Sequence, residues 1–277
     1  MNQEFKPVKS VISSRNNSFI TDICKLKQKK QRNQAGLFFI EGIKLFKEVL
    51  NSKYREKIKY IIISENIAGN IDIIDAQDLL NSEEVQKITV VTEEVYKKIT
   101  DEEAFQGIMC VIEKPAYDGI CSKLFYKKPV IILKSVRDPG NVGTIIRTGN
   151  ALCDVDIIIS EDCADIYSSR TQRAAMGAVF HQNIKTSENI KKDIENLKKN
   201  GYNIFAAHLD KDSCSINKVE FNAKTAVIFG NEGNGLDDEI VKLCDEKMII
   251  PINQNSESLN VSVAAGIVLW EIRKSAE

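Results

Sequence analysis

Three polar, glycine-containing loops in the second half of the chain hold the residues most able to do chemistry. They are RDPGNVGTIIRTGNA (137–151), FGNEGNGL (229–236) and IPINQNSESLNVSVAAG (250–266). Each follows a short apolar run that is typical of a buried strand. Because ligands of open parallel sheets bind at the carboxyl ends of the strands, we expect the three loops to converge on one pocket.

The spacing of the glycines excludes several common kinds of ligand site. Glycines fall as G-x-x-G-x-G over 230–235 and as G-x-x-G-x-x-x-x-x-G over 140–149, so the dinucleotide fingerprint is absent, and no Walker motif occurs. The sequence also lacks a histidine–carboxylate cluster for a metal and a G-x-S-x-G elbow for acyl transfer. The glycines instead indicate backbone that passes close to a bulky ligand.

In order, spacing and content, DPGNVGTIIRTGNAL, AVIFGNEGNGL and IPINQNSESLNVSVAAGIVLW resemble the three motifs of the SpoU/TrmH group of RNA ribose 2′-O-methyltransferases, in the SPOUT superfamily. The resemblance covers roughly residues 129–275. The amino-terminal part, with FFIEGIKLFKEVL and QGIMCVIEKP, is similar more weakly to the substrate-binding domain that these enzymes often carry. The resemblance implies an α/β fold with a carboxyl-terminal trefoil knot, S-adenosylmethionine as cofactor, and a homodimer formed through the knot region.

Motif matching also implies roles for individual residues. The implied catalytic set is Arg147, Asn141, Glu232, Ser258 and Asn260. The implied cofactor cradle consists of strand ends and loops at Ala207, His208, Leu209, Gly230, Asn231, Glu232, Ile250, Pro251, Ser258, Leu259 and Asn260. Methyl transfer from a sulfonium is an in-line displacement whose activated group is the cofactor itself, so positioning dominates the chemistry and no metal is required.

The role of Arg147 has a physical constraint. A guanidinium stays protonated near neutral pH and is a poor base, which favours Arg147 as a clamp on a backbone phosphate near the target ribose, with the phosphate or a water relaying the proton. The two amides, Asn141 and Asn260, order the loops or touch RNA in this interpretation. Glu232 steadies a cationic group or the loop, and Ser258 donates to cofactor or substrate. A lone histidine at a strand end is more often structural, so His208 receives no catalytic role.

Plainer interpretations stay open beside these. Asn141 is a good helix-capping residue, and Ser258 and Asn260 also fit the first turn of the last helix. At two positions the chain departs from the family pattern: Ala175 stands where serine is frequent, and Cys153 where glycine is common. These departures leave the RNA contacts of that region open.

The elements around the loops predict two domains joined by a linker. From 129 to 277, short apolar strands (PVIILK, VDIIIS, AVF, YNIFAAHL, KTAVIFG, KMIIP) alternate with helices that include 188–199 and 259–274, which predicts a parallel sheet with helices on both faces. Residues 1–114 predict a small α/β substrate-binding domain with a helix over 18–32 and strands at 37–40, 60–64, 87–92 and 107–114. Residues 115–128 form the expected linker.

Composition sets the outer limits of the function. Hydrophobic residues make up 43% of the 277 residues and charged residues 28%, enough for real cores. No apolar run approaches the roughly 18 residues of a membrane span, and the amino terminus lacks the apolar stretch of a signal peptide, so we expect a cytoplasmic protein. The seven cysteines form no C-x-x-C pair and predict neither a zinc site nor a disulfide framework.

Charge is distributed unevenly along the chain. The net charge is −1, but residues 1–33 carry +6 and the remainder −7. A local basic patch can bind along the phosphate backbone of a nucleic acid, although a solvent-exposed amphipathic helix explains the same clustering of charge. We expect a methyltransferase acting on a ribose of structured RNA, preferably large-subunit ribosomal RNA, with transfer RNA as the competing substrate. A noncatalytic ribosome-assembly factor, or a methyltransferase for proteins or small molecules, is also compatible with these features.

Overall fold

The computed structural model describes residues 11–67, 81–115, 127–253 and 255–275, with the side chain of Ser82 left aside. The chain divides into two compact units. The amino-terminal unit comprises Met1–Ala116 and Tyr167–Gln172, and the carboxyl-terminal unit comprises Tyr117–Ile166 and Arg173–Glu277. The expected linker, 115–128, lies for the most part outside the described residues.

The amino-terminal unit is built on a four-stranded mixed sheet in the order β1-β4-β2-β3. Its strands are β1 (Leu37–Glu41), β2 (Ile58–Ser64), β3 (Ile88–Val91) and β4 (Ile108–Glu113). Its helices are α1 (Ser18–Lys25), α2 (Lys29–Ala35), α3 (Ile43–Leu50), α4 (Ser82–Val85) and α5 (Glu93–Ile99). Strand β4 runs antiparallel to both of its neighbours, and Ile20 of α1 and Tyr96 of α5 lie in the same core as Ile62 and Val111 of the sheet.

The basic amino-terminal segment is not one helix. The predicted helix over 18–32 divides into α1 and α2, and the turn between them is held by Arg32, which is only 4% exposed and donates from Nη1 to the carbonyls of Leu26 and Lys27, each at 2.8 Å. Lys25 pairs with Asp22, and Lys27 pairs with Asp101. Three of the eight basic residues in segment 1–33 are therefore paired or buried, which reduces the positive charge available to the expected basic patch.

The carboxyl-terminal unit confirms the predicted parallel sheet flanked by helices. Seven described strands pair exclusively in parallel, in the order β7-β6-β5-β10-β8-β11-β9. They are β5 (Val130–Leu133), β6 (Asp156–Ser160), β7 (Asn183–Ser187), β8 (Asn203–Ala207), β9 (Cys214–Ser215), β10 (Thr225–Phe229) and β11 (Glu246–Ile249). The helices are α6 (Pro139–Leu152), α8 (Ile190–Lys199), α9 (Asp238–Val241) and α10 (Val261–Lys274), and α7 (Ser169–Ala175) begins in residues assigned to the amino-terminal unit and ends in the carboxyl-terminal one. The knot stays a prediction.

One expected strand is wrong. AVF forms a 3-10 turn at Ala178–Phe180, because Met176 (φ 50°) and Gly177 (φ 89°) both adopt left-handed conformations and reverse the chain after α7. The strand that follows is β7, whose sequence NIKTS is largely half-buried. An edge strand of polar residues lacks the apolar run that identifies the central strands.

Two asparagine or aspartate caps fix the starts of the helices that follow the motif loops. Asp138 Oδ1 accepts a hydrogen bond from the backbone N–H of Asn141 at 2.8 Å, and Pro139 occupies the first turn of α6. Asn260 caps α10 by accepting from the N–H of Ser262 at 2.8 Å. Both residue types are strong helix starters, so these loops end at defined points. Within the described ranges, no helix has the length and apolar character needed to span a membrane.

Candidate active site

The three motif loops leave the sheet at one edge. They follow β5, β10 and β11, and because these strands are parallel, their carboxyl ends meet on the same side. The structure brings the loops within hydrogen-bonding distance of each other. This edge therefore holds the groups that the sequence singled out.

A chain of side-chain hydrogen bonds connects all three loops. Asn260 Nδ2 donates to Asn141 Oδ1 at 3.0 Å, and Asn141 Nδ2 donates to Glu232 Oε1 at 3.1 Å. The backbone N–H of Asp138 also donates to Glu232 Oε1, at 3.4 Å. Because an amide has one donor end and one acceptor end, the carboxylate at one end and the second amide at the other fix the orientation of Asn141.

Glu232 is held as a carboxylate by these donors. Partial burial alone would raise its pKa, but hydrogen bonds from its own backbone N–H, from Asn141 and from the N–H groups of Asp138 and Arg137 together bring the pKa of Glu232 below its ordinary value. The side chain is thus an acceptor at neutral pH. It has the properties needed to join the loops.

The loop after β10 closes on itself through backbone groups. Asn231 and Gly235 exchange two N–H to C=O hydrogen bonds of 2.9 Å. A Cβ atom on Gly230 would lie 2.2 Å from the backbone of Gly235, so this closure requires glycine at 230. Asn231 Nδ2 donates to the carbonyl of Ser135 at 2.9 Å and ties this loop to the one after β5.

An apolar cavity of about 140 Å³ opens beside this network, at the ends of β8 and β11. The positions that line it are Ala207, His208, Leu209, Met248, Ile249, Ile250, Ile252, Glu257, Ser258, Leu259, Ala264 and Val268. Leu209 is 67% exposed and Leu259 is 36% exposed, which leaves apolar surface open at this cavity. A cavity with aliphatic walls at the ends of strands suits a flat aromatic ring whose polar edge is bound by main-chain groups.

The predicted site residues fall into two groups. Six of the predicted cofactor positions line the cavity: Ala207, His208, Leu209, Ile250, Ser258 and Leu259. Gly230, Asn231, Glu232 and Asn260 belong to the loop network, and Pro251 is exposed between two cavity residues. This division separates positions suited to contact a ligand from positions that hold the loops.

Arg147 stands apart from both groups. It lies on the exposed face of α6, and its side chain forms no hydrogen bond or ion pair with the part of the chain that the structure describes. Asn141, by contrast, lies in the first turn of the same helix and is fully engaged. The Arg147 guanidinium is therefore available for an anionic group of a substrate.

Several residues of this edge carry no signal in the sequence. Met248, Ile252 and Val268 line the cavity, but aliphatic residues in a strand or helix are usually core, so pattern alone does not identify them as site residues. Of the two departures from the family pattern, Cys153 donates its thiol to the carbonyl of Leu269 in α10, while Ala175 is fully buried at the end of α7. Both therefore have a packing role in this chain.

A parallel α/β sheet whose three linked loops adjoin an apolar cavity is the arrangement of an α/β protein with a small-ligand site at the carboxyl ends of its strands. Residues 128–270 match the SpoU rRNA Methylase family and residues 17–110 match the MRM3-like substrate binding domain. The chain belongs to the SpoU rRNA methylase family.

Two of the similar proteins match nearly the whole chain, and a third matches a little more than half of it. It is 29% identical to the 23S rRNA (guanosine(2553)-2′-O)-methyltransferase RlmP of Bacillus subtilis (strain 168), over 95% of this chain and 98% of that protein. The crystal structure of an AdoMet-bound rRNA methyltransferase from Sinorhizobium meliloti is 28% identical, with a TM-score of 0.80 over 96% of this chain and 97% of that one. The tRNA (guanosine(18)-2′-O)-methyltransferase of Escherichia coli (strain K12) is 30% identical over 58% of this chain and 70% of that protein.

Proposed function

We propose that this protein transfers a methyl group from S-adenosylmethionine to a ribose 2′-hydroxyl of structured RNA, with large-subunit ribosomal RNA as its substrate. The observation that carries the proposal is the hydrogen-bonded chain Asn260–Asn141–Glu232 beside an apolar cavity, in a chain of the SpoU family. When bound, S-adenosylmethionine supplies an activated methyl group.

The residues of the cavity fit the cofactor in chemical character. Aliphatic side chains such as Ile250 and Leu259 offer apolar faces to an adenine ring, while the backbone of Ala207 to Leu209 lies at a strand end where main-chain groups reach a ligand edge. Glycine at 230 lets the neighbouring loop close without a side chain in the way. The hydrogen-bond network that links the three loops lies next to these cofactor positions and supports them.

The reaction itself depends on placing a weak nucleophile. A 2′-hydroxyl must lose its proton as it attacks, and a guanidinium is a poor acceptor. Arg147 therefore clamps a backbone phosphate beside the target ribose, so that the phosphate or a water relays the proton. The exposure of Arg147 and its lack of a described partner support this role.

Ribosomal RNA is favoured over transfer RNA by the extent of the similarities. The similarity to the 23S rRNA enzyme covers both units, whereas the similarity to the tRNA enzyme covers 58% of the chain. The amino-terminal unit, which matches a substrate-binding domain, is the part expected to select a large folded RNA.

We also propose that the protein is a homodimer formed through α10. One face of this helix packs in the core through Val261, Ala265, Val268, Leu269 and Ile272. Its other face leaves Val263 50% exposed and Trp270 52% exposed, with half-buried Ile267 between them. Apolar residues spaced by one helical turn on a surface are typical of a subunit contact.

The experiment that tests the function is a methyl-transfer assay with label in the methyl group. Purified protein is incubated with labelled S-adenosylmethionine and either unmodified 23S rRNA or unmodified tRNA, with Arg147→Ala and Arg147→Lys in parallel. We expect label in the ribosomal RNA, and a loss of about 100-fold or more for Arg147→Ala, in keeping with the cost of losing a positioning contact.

The variants separate charge from geometry in this assay. Arg147→Lys keeps the charge but not the two-pronged hydrogen bonding, and we expect intermediate activity. Label only in tRNA would overturn the choice of substrate. Full activity of Arg147→Ala would contradict the phosphate clamp, and RNA binding without any label would favour an assembly factor.

A further inference from the structure

A second polar cluster, outside the predicted site, holds the turn that leads into the loop after β5. Ser135 has a left-handed backbone (φ 59°), which a residue with a side chain rarely adopts. Ser135 lies directly before the segment that contains the α6 cap, Asp138. A strained residue at this point must be held by its neighbours.

Its neighbours come from the end of β6 and the residues just beyond. The N–H of Ser135 donates to Ser160 Oγ at 2.9 Å, and Ser135 Oγ donates to Asp162 Oδ2 at 2.5 Å. Ser160 Oγ donates to the other carboxylate oxygen of Asp162. One carboxylate therefore binds both hydroxyl groups that fix the turn.

Lys134 completes the cluster on the charged side. Its Nζ donates to Ser135 Oγ at 2.6 Å and lies 3.5 Å from Asp162 Oδ2. Burial alone would raise the pKa of Asp162, but the two serine hydroxyls and Lys134 together lower it to about 2. The Asp162 carboxylate is thus ionised at neutral pH and acts as an acceptor.

Three further hydrogen bonds strengthen this clamp and extend it to the candidate active site. The N–H of Ala164 donates to the carbonyl of Val136 at 2.9 Å, so the chain after Asp162 is pinned to the same turn. The carbonyl of Ser135 accepts from Asn231 Nδ2, and Asn231 Nδ2 also approaches Glu232 Oε2 at 3.4 Å. A path of hydrogen bonds thus runs from Asp162 through Ser135 to the loop that holds Glu232.

We infer that Asp162 is a positioning residue for methyl transfer: it holds Ser135 in its left-handed turn, and the turn sets the positions of Asp138, Asn231 and the start of α6. Asp162 itself touches neither the cavity nor the loop network. This inference rests on the proposed function and adds to it a residue that follows the end of β6.

The test is a double-mutant cycle with Asp162→Ala and Ser135→Gly. Glycine adopts a positive φ without strain, so Ser135→Gly keeps the turn while removing its dependence on the carboxylate. We expect Asp162→Ala to lower kcat by about 10- to 100-fold, the scale of a displaced catalytic group, with the KM for 23S rRNA unchanged. In the Ser135→Gly background, Asp162→Ala should lower kcat by a much smaller factor.

Controls separate positioning from folding. Asp154→Ala removes a carboxylate that lies just before β6 and pairs with Lys128. This pair is at the amino ends of the strands, opposite the candidate active site, so the substitution should leave kcat unchanged. Asp162→Asn keeps the size and one acceptor oxygen, and serves if Asp162→Ala does not fold. Thermal unfolding of every variant shows whether a loss of kcat follows a loss of stability.

Two outcomes of the activity and stability measurements overturn the inference. One is an equal loss of kcat from Asp162→Ala in both backgrounds, and the other is a loss fully explained by unfolding. A crystal structure of Asp162→Ala gives a readout that does not depend on activity, since Ser135 is expected to leave φ 59°. An inactive wild-type protein would count against the proposed function, and Ser135 unmoved in that structure would count against the inference.

Discussion

At the scale of single residues, asparagine side chains link the three loops of the site, and a glycine lets the loop after β10 close on itself. Asn141 donates to a carboxylate and accepts from a second amide, so its two ends are not interchangeable. Asn260 has a double role, because its Oδ1 caps α10 while its Nδ2 reaches Asn141. Helix capping and a function in the site, which the sequence pattern cannot separate, are combined in one side chain.

The connection between Asn141 and Glu232 gives a prediction with a definite pH dependence. Asn141→Asp keeps the shape but places a second carboxylate 3.1 Å from the Glu232 oxygen and removes the donor that lowers the pKa of Glu232. Repulsion should raise the pKa of the pair, and activity at pH 8 should fall by about 10-fold, a cost of roughly 1.4 kcal/mol. As pH falls towards 5, one carboxylate gains a proton and donates again.

The measurement is the ratio of variant to wild-type kcat/KM between pH 8 and pH 5. The ratio should rise as pH falls, because protonation restores a hydrogen bond that only the variant lacks. A ratio that stays flat would mean that the two side chains are not coupled. Asn141→Ala, which cannot be protonated, serves as the control and should show a flat ratio.

The loop after β10 gives a prediction about glycine. Gly230→Ala introduces a Cβ atom 2.2 Å from the Gly235 backbone, and we expect a loss of about 1–3 kcal/mol in unfolding free energy, or a displaced loop with weaker cofactor binding. Gly233→Ala is the matched control, because its Cβ meets only Asn231 Oδ1, at 3.5 Å. Calorimetric titration with S-adenosylmethionine and thermal unfolding measure both effects. Equal behaviour of the two variants would refute the steric argument.

At the scale of elements, the strands were predictable where they are apolar and the helices where they begin with a capping residue. Val130–Leu133 and Thr225–Phe229 are apolar runs buried on both faces, and such runs identify central strands of a parallel sheet. Polar β7 and the two-residue β9 offered no such run. The order of the strands in the sheet determines which loops meet in the site, and local sequence patterns do not give that order.

The turn between α1 and α2 shows the same limit and gives a testable consequence. In the sequence, Arg32 is one of the eight basic residues of segment 1–33 that could contact phosphates. In the structure its side chain is buried and donates to two backbone carbonyls. Arg32→Met should cost about 1–3 kcal/mol of unfolding free energy, because two acceptors lose their donor. Lys30→Met, at an exposed position of α2, should leave stability unchanged.

RNA binding separates these two variants further. If α2 contacts RNA phosphates, Lys30→Met should weaken binding of 23S rRNA without a loss of stability. The slope of log affinity against log salt concentration should then fall by about one. Denaturant unfolding and binding titrations at several salt concentrations give both quantities. An unchanged salt slope would show that α2 faces solvent rather than RNA.

At the scale of the whole molecule, the distribution of charge and apolar surface matters more than their totals. A chain with net charge −1 can bind RNA only through local basic surface, and part of that surface is already neutralised in the amino-terminal unit. In the carboxyl-terminal unit, the exposed side of α10 includes two large apolar side chains, Val263 and Trp270, at positions where a surface helix usually carries polar residues. Both features bear on the two partners proposed above, RNA and a second subunit.

The subunit contact proposed for α10 gives the last prediction. Trp270→Glu places a charge in the apolar stripe, where burial against a partner would be costly, and should convert a dimer with twice the mass of one chain into a monomer. Asn150→Glu adds the same charge at an exposed position of α6 outside the stripe and should leave the dimer intact. Light scattering coupled to size exclusion distinguishes the two states. The resemblance to the SpoU/TrmH group also implies that a neighbouring subunit helps to build the site, so methyl transfer should fall with dimer content. A fully active wild-type monomer would contradict both points.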